Sequence, residues 1–164
     1  MRFIAGIITG ILLLFACAYV FISFGGVSMM TSAPPLPLEK RVARMALRAS
    51  LGKAADEKDP LPFNDENMAA GARLYKTNCA VCHGLPGAAK SSIAKGMFPE
   101  PPQLFEDPVT DDPEGITYWK VTHGIRLSGM PGFDKSLSDT ERWQLTMLMA
   151  HADKPSRAVL AALK

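Results

Sequence analysis

The chain has 164 residues, 18 of them Lys or Arg against 16 Asp or Glu, for a net charge of +2. That balance excludes the strong basic field of a nucleic-acid binder, and 48% hydrophobic residues exclude wholesale disorder. Three cysteines are too few for a disulfide framework, and two of them share one five-residue motif.

Residues 3–24, FIAGIITGILLLFACAYVFISF, carry no charge and offer no polar face. At ~1.5 Å per residue such a helix covers about 33 Å, matching a hydrocarbon core of about 30 Å. The expectation is a retained transmembrane helix, with residues 1–30 as the anchor. A cleaved signal, whose apolar run is about 7–15 residues, is the first alternative, and this run is longer. Acylation at Cys17 is the second, and Phe15 is bulky for it. Arg2 precedes the span, whereas Lys40, Arg41, Arg44 and Arg48 follow it. Charge bias alone therefore puts the carboxyl side in the cytoplasm, in conflict with the chemistry below.

Residues 31–62 read as a linker. Three prolines in TSAPPLP hold its start extended. Leu38, Val42, Met45 and Ala49 then recur at helical spacing, with Arg41, Arg44 and Arg48 on another face. This predicts a short amphipathic helix ending near Gly52, packed either on the globular domain or its partner, or on anionic lipid headgroups.

Residues 63–153 read as a helical domain with no alternating strand pattern. Asn64 or Asp65 caps a helix through Asn78, with Met68, Ala72 and Tyr75 on one face. Asp112-Pro113 opens a second helix bearing Ile116, Trp119 and Val121. Ser138-Asp139-Thr140-Glu141 is a capping box that opens a third, with Trp143, Leu145, Met147 and Leu148. The stretch from Gly84 to Glu114 holds six prolines, and a long irregular segment in a small domain is usually wrapped around something. Residues 154–164 read as a C-terminal tail forming a frayed helix.

Cys79-Ala80-Val81-Cys82-His83 is a C-x-x-C-H motif, the attachment site for c-type haem. Two thiols three positions apart lie on adjacent turns and can form thioethers to one porphyrin edge, which aims His83 at the iron. Zinc would ask for four N or S ligands, which the remaining Cys and His spacing does not supply. A thioredoxin-like pair would need a βαβ context, and none is present. For the sixth iron position the leading residue is Met130, 47 positions after His83 in Ser128-Gly129-Met130-Pro131-Gly132. Met97 and His123 are its rivals.

The motif Cys79–Gly84, Pro102-Gln103-Leu104, the run Tyr118–Arg126 and Gly129-Met130-Pro131, ending in a capped helix with an aromatic, resemble a class I c-type cytochrome. The likeness is closest to the small membrane-anchored monohaem type of bacterial respiratory chains and spans about residues 38–150. It implies an all-α domain wrapped around one covalently attached haem c, preceded by one transmembrane helix. It further implies that the Pro102 carbonyl orients His83, that Leu104 packs on the haem, and that Trp119 and Arg126 approach the propionates. Gly71 and Tyr75 would cross the last helix near Trp143.

With His83 and Met130 as ligands the iron has no open position, so the site moves single electrons and is not an enzyme's. The resemblance places the haem domain in the periplasm or another extracytoplasmic space, on a single-pass anchor in the bacterial inner membrane. Its partners would be membrane-bound redox complexes, without nucleic acid or a small-molecule substrate. A fixed haem c subunit of a larger oxidoreductase or oxidase complex is the alternative. A haem-based sensor or peroxidase-like enzyme stands behind both.

Overall fold

A computed structural model describes residues 2–164, and among them every regular element is helical. The chain divides into two compact units, one up to Lys40 and one from Arg41 onward. The first unit is dominated by α1, Arg2–Ser23, in which no residue is buried. This helix is long and apolar enough to cross a membrane.

Helix α2, Glu39–Leu51, ends one residue before Gly52, which takes a positive φ. Leu38, Val42 and Met45 of the expected apolar stripe are exposed. Leu47 and Leu51, on the opposite side of the helix, are the half-buried residues instead. Periodicity locates the helix; the stripe is not packed on the domain, and Leu47 and Leu51 supply the half-buried side.

The haem-domain candidate is framed by α3, Asp65–Asn78, α6, Glu114–His123, and α7, Asp139–Ala150. The Asn64 side chain accepts from the Asn67 amide and starts α3. Ser138 and Glu141 complete the reciprocal capping box of α7. At α6 the local signal was read differently by the fold. Pro113 precedes the first helical residue and no side chain caps it, while Asp112 turns to an ion pair with Lys120 at 2.6 Å.

Met68, Ala72 and Tyr75 of α3 meet Leu145, Leu148 and Met149 of α7 in one buried cluster. Gly71 lets the two helices approach. A Cβ there would collide with the Gln144 carbonyl and lie 3.3 Å from Leu148 Cβ. The close point is thus centred on Gln144 and Leu148. Trp143 faces α6 instead, stacked on Tyr118 at 4.0 Å.

Helix α7 is not the last. Helix α8, Arg157–Leu163, is capped by Ser156 and buries Val159 and Leu163 in the same core. The tail helix is present as expected, but it is packed into the core and not frayed. Val159 and Leu163 share one face at i, i+4 spacing, and the Ser156 hydroxyl also donates to Asp65 at 3.1 Å.

Candidate haem site

Helix α3 ends at Cys79, whose amide donates to the Tyr75 carbonyl at 2.8 Å. A single further turn, α4, Ala80–His83, follows, and Gly84 at φ +75 stops it. That left-handed conformation favours glycine. Both thiols are free and sit on this one turn. Burial, reinforced by neighbouring Cys82, pushes the Cys79 thiol up to about 12.

His83 Nδ1 lies 2.8 Å from the Pro102 carbonyl oxygen. A carbonyl only accepts, so Nδ1 carries the proton and Nε2 keeps its lone pair. Burial lowers the pKa of His83, against the Pro102 hydrogen bond, and so favours the neutral, ligating ring. The Leu104 amide donates to the His83 carbonyl at 3.3 Å, and Gln103 Nε2 donates to the Cys82 carbonyl at 3.1 Å. Segment 102–104 is thereby bound to the attachment turn along its length. Tyr75, buried and edge-on to Phe105 at 5.2 Å, donates its hydroxyl to the Gly84 carbonyl at 2.8 Å. The turn is held by backbone, amide and phenol together.

Met130 lies in the connection between α6 and α7. Its carbonyl accepts from Ile125 at 3.2 Å and its amide donates to Ser128 Oγ at 3.2 Å. The loop then runs back along α6, where the amides of Phe133 and Asp134 donate to the carbonyls of Val121 and Thr122 at 3.0 and 3.1 Å. Trp119 lies one turn before His123 on α6, with ring centroids 5.1 Å apart. Arg126 is exposed. The structure thus gathers Cys79, Cys82, His83, Pro102 and Leu104 into one hydrogen-bonded cluster. It sets Trp119, Arg126 and Met130 on α6 and the loop that follows.

Sequence reasoning missed Gln103 and Ser91. Gln103 stands between two residues singled out, but nothing local shows that its amide reaches Cys82. Ser91 donates to the Val81 carbonyl at 2.5 Å and caps α5, Ser92–Gly96. Its cap pattern is visible in sequence, whereas the contact to the attachment turn is not.

The donors fit haem c. Two free thiols on one turn stand beside a neutral imidazole whose other nitrogen is already engaged. Among the described residues, no three His, Cys, Asp or Glu side chains group to hold a metal ion. The pair therefore lacks the companions that zinc would need.

An all-helical domain with this attachment turn defines a c-type cytochrome. The family described as "Cytochrome C oxidase, cbb3-type, subunit III" matches residues 66–149, and the chain belongs to it. Membership implies covalently bound haem c and an electron-carrying domain. No curated protein matches the chain. Among solved structures, the Kuenenia stuttgartiensis reducing HAO-like protein complex contains a similar chain, 25% identical with a TM-score of 0.46. The match covers 71% of this chain and 61% of that one, so this chain spans less than two thirds of that relative.

Proposed function

We propose that the protein is a membrane-anchored monohaem cytochrome that passes single electrons between respiratory complexes or dehydrogenases on the extracytoplasmic side. Haem c, when bound, supplies a reversible one-electron couple. Cys79 and Cys82 would hold it covalently, and His83 Nε2 and Met130 Sδ would ligate the iron. The observation that carries this reading is the Pro102 hydrogen bond, which fixes the His83 tautomer on the same turn as both thiols.

Each residue has a task in this reading. The Pro102 carbonyl orients His83 and raises its basicity as a ligand. Met130 brings a soft thioether that favours the reduced state and raises the potential relative to a second imidazole. Leu104 packs against the ring, and Trp119 and Arg126 serve the propionates. Residues 1–30 anchor the chain, 31–62 link it and 63–153 carry the haem. The anchor confines the domain near membrane partners and raises their effective concentration. We place the domain in the periplasm against the charge bias of the linker, because attachment of haem c is an extracytoplasmic process in the family it resembles.

A second reading, a fixed subunit of an oxidase complex, is favoured by the description of the matched family. Mild detergent extraction followed by sizing separates the two: a carrier runs alone, and a subunit co-migrates with its complex.

Optical spectra of the haem-loaded protein test the ligand set. Oxidised wild type should show the red-edge sulfur–iron charge-transfer band, lose it in Met130→Ala, and leave carbon monoxide unbound when reduced. Ready binding of carbon monoxide by the wild type would overturn the proposal and bring the sensor reading forward.

A further inference from the structure

The stretch between Gly84 and Pro102 has no task in the function above, yet it is firmly built. Ser91 ties the start of α5 to the attachment turn through the Val81 carbonyl, and it accepts from the Ala94 amide at 3.0 Å. Ala94 is wholly buried. Lys90 and Glu100 pair across the base of the stretch, and Gln103 closes it onto Cys82. This is a platform standing on the residues that would bind haem.

Met97 leaves that platform and lies on Gly129, the residue immediately before Met130. A Cβ at position 129 would collide with the Met97 methyl and lie 3.5 Å from its sulfur. The glycine therefore opens the space that the methionine fills. The loop beneath is otherwise held near Met130 by the short-range Ile125 and Ser128 hydrogen bonds. Its neighbour Leu127 is 84% exposed and takes φ +61, which adds strain and little packing. A flexible, unbranched side chain suits an irregular gap of this kind.

We propose that Met97 is a positioning residue, a clamp that couples the haem-attachment turn to the Met130 loop and sets how readily Met130 leaves the iron. This rests on reading Met130 as a ligand. Met97 thus adds a protein contact between the platform on the attachment turn and the loop that bears Met130. With Met97 in place, movement of the loop must also lift a side chain that follows directly on α5, the helix that Ser91 ties to Val81.

Imidazole, a small competitor for the sixth position, reads the clamp directly. It is titrated into the oxidised, haem-loaded full chain in detergent while the sulfur–iron band is followed. Met97→Ala should keep the band without imidazole and lose it at about tenfold lower concentration than wild type, equivalent to about 1.4 kcal/mol. Met97→Leu restores bulk and should return the midpoint to within about twofold of wild type. Val159→Ala opens a cavity under α8 and lowers global stability; its midpoint should stay within about twofold of wild type. A wild-type midpoint in Met97→Ala would overturn the proposal. So would an equal shift in Val159→Ala, or failure of leucine to restore it. Absence of the band from wild type, or its survival in Met130→Ala, would instead overturn the ligand assignment. Loss of the band in Met97→Leu with Met130 intact would make Met97 the ligand and overturn both.

Discussion

Replacing Gly71 by alanine sets two opposing effects against each other and lets the sign decide. In a helix interior, alanine is favoured over glycine by about 1 kcal/mol. At this position the new Cβ would meet the Gln144 carbonyl, 2.8 Å from its carbon and 3.3 Å from Leu148 Cβ. Carbon atoms prefer separations of about 3.5–4.0 Å, so α3 and α7 must part by close to ~1 Å. The obstacle is backbone, which cannot swing aside as a side chain does. Overpacking of this kind costs about 1–3 kcal/mol, and the upper end applies because Met68, Ala72 and Tyr75 lose contact along the same seam. The expected net loss is about 2 kcal/mol, read by guanidinium unfolding of the oxidised haem-loaded protein with an unchanged slope. A Gly71→Ala protein as stable as wild type, or more so, would refute the reasoning. It would mean that helix propensity outweighs the crossing.

Tyr75→Phe removes the hydroxyl that donates to the Gly84 carbonyl and should cost about 1 kcal/mol in the same unfolding assay, with no change in absorption bands. Deleting residues 155–164 exposes the core under Val159 and Leu163 and should cost about 2–4 kcal/mol; unchanged stability would return α8 to the status of a tail. Asp59 carries a buried, unpartnered Oδ2, and burial raises its pKa, helped by Glu114 and opposed by the Leu61 amide and His151. Between its ordinary and its raised value the folded state holds the extra proton, so stability falls as pH rises through that window. Asp59→Asn should flatten that slope and leave the protein slightly more stable at neutral pH, by less than about 1 kcal/mol. Thermal melts across an acid-to-neutral pH series would show it.

Local chemistry was legible wherever one turn of chain carries it. Asn64 caps α3 and Ser138 with Glu141 opens α7, as their side chains announce, and the C-x-x-C-H motif lies on the turn where α3 ends. What escaped depends on residues distant in sequence. Asp112 prefers Lys120 to the start of α6 because a charged partner outbids a lone amide. That α2 half-buries Leu47 and Leu51, on the side away from its apolar stripe, depends on such distant residues too. Helix α8 needed α3 as its partner, since a seven-residue segment has too few internal hydrogen bonds to persist alone. The meeting of Met97 with Gly129 joins two loops, and neither has a periodicity from which to read it.

The hydrogen bond from Ser156 to Asp65 ties the start of α8 to the first turn of α3. A chain is delivered amino end first, so α3 and both cysteines leave the synthesising machinery before the residues that cover them. During that interval the flank of α3 that later meets Val159 and Leu163 is bare. Synthesis halted before α8 therefore leaves α3 with an apolar flank in water, an adhesive surface for other unfinished chains until Val159 and Leu163 arrive.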